Sequence, residues 1–152
     1  MAAFEPKDPE FAARIRASFE RQRIMALLGA TLGRVEPGEV EIELPFRAEL
    51  TQQHGFFHAG VVGTIADSAG GYAGYTLMPA GSSVLSVEYS MHLLAPADGQ
   101  RLRATGRVVR AGRRLTVCDL GVAVEKDGAW KTCARGMQTL MCIDDDRFDT
   151  PG

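Results

Sequence analysis

The stretch AGVVGTIADSAGGYAGYTL, residues 59–77, decides how this chain is read. Its period predicts a helix from Ala59 to Leu77, yet it contains Gly60, Gly63, Gly70, Gly71 and Gly74. A glycine inside a helix costs about 1 kcal/mol relative to alanine, so a run of them needs a reason. With successive residues about 100° apart, Val61, Val62, Ile65, Ala66, Ala69, Tyr72, Ala73, Thr76 and Leu77 share one face. That face is expected on the concave side of a sheet. The glycines fall on the opposite face, and Asp67 lies in the middle of their stripe. A stripe without side chains lets another backbone or a ligand approach the helix axis closely. A single carboxylate set in that stripe then points at whatever approaches. The plainer reading, an acid that merely solvates an exposed helix face, leaves the glycines unexplained.

Just upstream, TQQHGFFHAG (residues 51–60) forms a polar loop that ends where the helix begins. The first turn of a helix has free N–H groups at the positive end of its dipole, which suits an anion or a developing oxyanion. Small residues at Ala59 and Gly60 leave those groups accessible. The rise per residue separates this point from Asp67 by roughly 10 to 12 Å. That is too far to serve one substrate atom. If both act on one reaction centre, two chains must contribute, which predicts a homodimer.

Working outward, Pro9 to Leu28 reads as an N-terminal helix, with Phe11, Ile15, Phe19, Ile24, Leu27 and Leu28 at helical spacing and Gly29 as its stop. Two strands follow, 30–35 and 39–45, around the turn pair Pro37-Gly38. In the second, Val40, Ile42 and Leu44 alternate with Glu39, Glu41 and Glu43, so one face is wet. After the central helix the chain is almost all strand: 82–95, 100–110, 113–125 and 129–143, joined by short Gly-containing turns. The pattern is α+β, a long curved antiparallel sheet with a helix packed on one face. The segments 1–8 and 144–152 read as mobile ends.

The composition narrows the function. Hydrophobic residues make up 45% of the 152 and charged ones 24%, which fits a single globular domain and argues against disorder throughout. A net charge of −2 offers no strong field for nucleic acid or an anionic membrane, so neither is an expected partner. Cys118, Cys133 and Cys142 are odd in number and far apart, which fits reduced thiols in strands rather than a disulfide framework or zinc site. His54 and His58 are four apart, but the segment between them lacks the Glu of a helical zinc motif, so no metal is expected. His92 reads as a core or interface histidine. No basic segment precedes an apolar run at the N-terminus, and no stretch approaches the ~20 apolar residues of a membrane span, so the cytoplasm is the expected compartment.

These residues carry a resemblance. Gln52, a short loop, His58-Ala59-Gly60 opening a helix, and Asp67 nine positions after the histidine resemble the hotdog-fold thioesterases of the phenylacetate-degradation (PaaI-like) type. Ser86-Val87-Glu88-Tyr89 through Ala95-Pro96-Ala97 resembles the strand that follows the helix in that family, and the likeness covers about residues 30–143. It implies hydrolysis of acyl-CoA thioesters, with no cofactor beyond the coenzyme A of the substrate. Asp67 would act as general base or nucleophile, and the N–H of Ala59, with Gly60 nearby, would polarise the thioester carbonyl. Gln52 and His58 would orient substrate or hold the loop, and Ser86 would help position the water. A dimer or dimer-of-dimers with sites at the subunit interface is also implied. Two departures stand out: Ala59 replaces the usual first glycine, and Gln52 replaces the more common asparagine.

Arg113 and Arg114, at a strand turn, suit the phosphates of coenzyme A, against the plainer reading of a solvated hairpin. The acyl tunnel is expected to be lined by Phe56, Phe57, Tyr72 and Tyr75. Two other functions fit the same architecture: a hotdog dehydratase or hydratase, and a non-catalytic acyl-ligand-binding module that keeps the tunnel but does not depend on Asp67. The histidine at the helix mouth, unpaired with Asp67, weakens the first. The lack of an appended DNA-binding segment weakens a regulatory role for the second.

Overall fold

Alternating apolar and polar residues in 39–45 and 101–125 demand strands with one buried face, and the glycine-rich apolar run between them demands something to bury against. The computed structural model, which describes residues 4–147, joins the two. Two short helices, α1 (Phe11–Arg21) and α2 (Arg23–Leu28), precede β1 (Thr31–Glu36) and β2 (Glu39–Pro45). The central helix α3 (Ala59–Tyr75) follows, then β3 (Ser82–Leu93), β4 (Arg101–Ala111), β5 (Leu115–Lys126) and β6 (Ala129–Asp144). All pairings are antiparallel, and the six strands lie in the order β1-β2-β4-β5-β6-β3. The expected long antiparallel sheet around a central helix is therefore present.

The inward phase of each strand packs on α3. Val40, Ile42, Leu44, Leu102, Ala104, Leu120 and Leu140 are fully buried there with Ile65, Ala69 and Ala73 of the helix. Contact with β2, β4 and β5 covers one side of α3, and β3 and β6 cover another. This corrects the expectation that the glycine stripe faces away from the sheet. The sheet curls around the helix, and the glycines let its own strands come close. A Cβ on Gly70 would lie 2.0 Å from Gln138 Oε1 and 2.4 Å from Leu120 Cδ2. A Cβ on Gly106 of β4 would lie 2.4 Å from the Ala69 carbonyl oxygen. Gly71 alone of the mid-helix glycines opens onto free space, with nothing within 4 Å of an added Cβ.

On the outer face, the wet side predicted for β2 carries an ion-pair ladder. Glu43 accepts from Arg101 and Arg103, Glu39 pairs with Arg107 and Arg34, and Arg103 stacks 4.2 Å from the Trp130 ring centroid. Burial pushes the Glu39 carboxyl up, but Arg107 and Arg34 outweigh it and hold it below its ordinary value.

The N-terminal helix differs from expectation in one respect. It breaks at Gln22, whose backbone is extended (φ −79°, ψ 91°), and the pieces on either side are anchored separately. Arg14 donates to the carbonyls of Tyr75, Met78 and Pro79 at the C-terminal end of α3, lies 4.4 Å above the Tyr75 ring and pairs with Asp8. A cation there satisfies carbonyls the helix leaves free and complements its dipole. Ile15 and Met25 are fully buried beside it. Where they are described, the segments expected to be mobile ends take defined places. Asp8 is buried and Phe4 lies against Gly38, while β6 continues to Asp144 and a turn follows over 145–147. The remainder of those two segments, 1–3 and 148–152, lies outside the described residues.

The far edge of the sheet is β3, bonded on one side only. Residues 85–90 of this strand are all exposed, including Leu85, Val87 and Tyr89 at about half their full area. A long apolar edge with unpaired N–H and C=O groups is a template for another strand. His92 lies exposed on this edge strand rather than in a core, because nothing in the protomer covers it. Among the described residues no helix is long and apolar enough to cross a membrane.

Candidate active site

The residues singled out in the sequence fall into three places. The first is the middle of α3. Asp67 is half-buried, and its carboxylate takes two hydrogen bonds on the same oxygen. Ser86 Oγ of β3 donates to Asp67 Oδ1 at 2.6 Å, and Gln138 Nε2 of β6 donates to it at 2.6 Å. The Gln138 amide also reaches the Asp67 carbonyl oxygen at 3.1 Å and Ser86 Oγ at 3.0 Å. Oδ2 has no partner among the described residues. One oxygen of the carboxylate is thus fixed and the other is free to receive a proton.

Gln138 escaped the sequence reading. It is fully buried, and its Oε1 finds no donor, lying instead against Gly70. Turning the amide over would set an oxygen against the carboxylate, so the N–H side is held toward Asp67. A signal was available: the inward phase of β6 runs Ala134, Gly136, Gln138, Leu140, and an amide is out of place in that series.

Asp67 opens onto a cavity of about 180 Å³ lined also by Ser18, Gln22, Ser68, Gly71, Tyr72, Val84 and Ser86. Ser68 Oγ donates to Gln22 Oε1 at 3.1 Å, and the Tyr72 hydroxyl lies 3.3 Å from Ser18 Oγ. Burial pushes the Tyr72 hydroxyl above its ordinary pKa, so it is a neutral group at physiological pH. Tyr75, expected in the tunnel, is core instead: its hydroxyl donates to the Ser82 carbonyl at 2.8 Å.

The second place is the mouth of α3. His58 is the N-cap, and its Nδ1 accepts from the Gly60 N–H at 2.8 Å. This corrects the expectation for Gly60: its N–H is already satisfied by the cap and is not an available oxyanion donor. The Ala59 N–H has no acceptor among the described residues and is exposed. Gln52 closes the preceding loop, accepting from the His54 N–H through its side chain and from the Gly55 N–H through its carbonyl. These groups border an apolar cavity of about 480 Å³, lined by Gln52, Phe56, Phe57, Ala59, Leu93 and Leu94 among others, with Cys133 on its wall. Phe57 is almost wholly buried and packs edge-on against Phe46, so it shapes the wall rather than reaching into the space.

The third place is the β4–β5 turn. Arg113 and Arg114 are exposed there beside Arg110, around a separate open cavity of about 450 Å³. The three cavities share no lining residue, so one protomer does not bring the helix mouth, Asp67 and the arginines to a common point. Cys118 and Cys133 are buried, which pushes their thiols up to about 12 and about 11 and leaves them unreactive. Among the described residues no three His, Cys, Asp or Glu side chains cluster as metal ligands.

Comparison with known proteins places this geometry. A model of the thioesterase superfamily matches residues 54–131, about half of the chain. A thioesterase family protein from Silicibacter pomeroyi, known by crystal structure, is 43% identical, with a TM-score of 0.87 over 88% of this chain and 98% of that one. The proofreading thioesterase EntH of Klebsiella pneumoniae is 29% identical over 128 residues, 84% of this chain and 93% of that protein. The E. coli PaaI protein of the phenylacetic acid degradation operon is 20% identical with a TM-score of 0.78, covering 88% of this chain and 94% of that one, a likeness of fold. The matched segment holds the helix mouth, Asp67 and Ser86 together, and with a relative of the same family at 43% identity along nearly its whole length, this chain belongs to the thioesterase superfamily and has its hotdog fold.

Proposed function

We propose that the protein hydrolyses acyl-CoA thioesters at sites shared between two copies of the chain, with Asp67 of one copy and the Ala59 N–H of the other acting on one thioester. The observation that carries this reading is the asymmetry of the Asp67 carboxylate, with Oδ1 held by Ser86 and Gln138 while Oδ2 meets no donor among the described residues. Such a group is poised as a general base. Asp67 takes a proton from water as the water oxygen attacks the thioester carbon, and the Ala59 N–H donates to the oxyanion that forms. Collapse breaks the C–S bond, and the departing thiolate recovers the proton from Asp67. The products are a free acid and coenzyme A.

The rise of the helix still sets Ala59 roughly 10 to 12 Å from Asp67, and the two border different cavities. The exposed β3 edge supplies the means of bringing a second copy alongside. Pairing β3 with β3 about a two-fold axis would satisfy both edges. Within such a site Gln52 and His58 hold the loop, Ser86 holds the base, Phe57 and Tyr72 shape the substrate space, and Arg113 and Arg114 meet the phosphates of coenzyme A. A cytoplasmic enzyme in dimers or paired dimers, with no cofactor of its own, is the reading that follows.

Thiol release from a panel of acyl-CoA thioesters tests it. The parent protein turns over, and Asp67→Ala loses at least about two orders of magnitude in kcat. Equal rates for the two proteins would remove Asp67 from the chemistry and favour the non-catalytic binding module.

A further inference from the structure

We propose that the α1–α2 junction is the specificity wall of the Asp67 cavity, and that Gln22 selects a short acyl group bearing a hydrogen-bond acceptor. This rests on the reading of Asp67 as the base. Ser18 and Gln22 come from the N-terminal segment, outside the region that the thioesterase superfamily model matches, yet both line the cavity onto which Asp67 opens. The wall is rigid. Arg14 ties α1 to the end of α3 through three carbonyls, and Ile15 and Met25 are fully buried on either side of the break at Gln22.

Gln22 has one committed end and one free. Its Oε1 accepts from Ser68, while its Nε2 makes no hydrogen bond among the described residues. A half-buried amide held through its oxygen, with a spare donor on the wall of a small cavity, can donate to an acceptor oxygen on whatever fills that cavity. The bare Cα of Gly71 leaves the space beside it unoccupied. The cavity of about 180 Å³ is much the smaller of the two beside α3, against about 480 Å³ at the helix mouth. A short acyl group, with an oxo or hydroxyl oxygen beyond the reacting carbonyl, fits both the volume and the donor.

The experiment compares 4-oxopentanoyl-CoA with 4-methylpentanoyl-CoA, two acyl groups of equal size that exchange a carbonyl oxygen for a methyl. For the parent protein kcat/KM favours the oxo substrate by about fivefold to tenfold, the worth of one hydrogen bond in a specific site. In Gln22→Met, which keeps the length and removes the amide, that ratio falls to about one. The same pair is also titrated by calorimetry against Asp67→Asn, with and without Gln22→Met, to read the preference where turnover is blocked. A binding preference that Gln22→Met abolishes supports the wall even if no thioester is hydrolysed, and the failure then belongs to the hydrolase reading alone. Equal use and equal binding of the two substrates, or a ratio unmoved by Gln22→Met, would overturn the wall. Thermal unfolding of each variant separates a lost preference from lost folding.

Discussion

The middle and the mouth of α3 are built in opposite ways. In the middle, Asp67 is clamped by donors from two neighbouring strands, one of them a fully buried amide, and glycines bring those strands against the helix. At the mouth, Ala59 is exposed, its N–H has no partner among the described residues, and the cavity beside it is large and apolar. One region is finished within the protomer and the other is left open. A carboxylate gains from rigid donors that fix its orientation, whereas an oxyanion donor must stay unsatisfied until the substrate arrives. That contrast is what the proposed two-chain site requires, with each region completing the other across a pair of chains.

Changing one region at a time sharpens that contrast. The largest expected effect is at the mouth. Ala59→Pro deletes the free N–H while keeping the helix, because proline suits the first helical position and His58 already has the extended backbone (φ −64°, ψ 140°) that must precede it. We expect kcat to fall by about a hundredfold to a thousandfold, with little change in melting temperature. A variant that keeps its rate would remove the helix mouth from catalysis.

The clamp that holds Asp67 is expected to respond less steeply than the mouth or Asp67 itself, and to involve stability as well. Gln138→Leu removes the donor to Asp67 Oδ1 but leaves Ser86 in place. It is expected to lower kcat by about tenfold to a hundredfold with KM nearly unchanged, since a misaligned base affects the reaction more than binding. A pure rise in KM would show that Gln138 serves substrate binding instead.

The smallest effects separate neighbouring glycines. Gly70→Ala drives a methyl into Gln138 and Leu120 and is expected to destabilise by about 1–3 kcal/mol. Gly71→Ala meets open space and is expected to be neutral, or stabilising by up to about 1 kcal/mol, in denaturant unfolding. Equal stabilities would mean that the sheet does not press on the glycine stripe as the structure has it.

Much of this was legible in the sequence, because it rests on local patterns. The period and glycines of 59–77 gave the helix, alternation gave the strands, and the spacing from Ala59 to Asp67 already set the helix mouth and the carboxylate about two turns apart. What escaped depends on distant parts of the chain. The period places the glycine stripe on the wrong side, because a helical period cannot show that one sheet will curl around both faces. Gln138 lies 71 positions from Asp67 and meets it only through the β3–β6–helix packing. The commitment of the Gly60 N–H to His58 follows from a side-chain rotamer, and the break at Gln22 lies inside an otherwise continuous helical pattern.

The measurement that tests the shared site most directly is mixing of two dead proteins. Asp67→Ala and Ala59→Pro are each expected to be inactive, but a mixed dimer places an intact Ala59 from one chain opposite an intact Asp67 from the other. Random exchange makes half the dimers mixed, each with one whole site, so thiol release is expected to recover to about a quarter of the parent rate. If the mixture stays as inactive as its components after subunit exchange is verified, the two residues act within one chain, and the two-chain site is wrong.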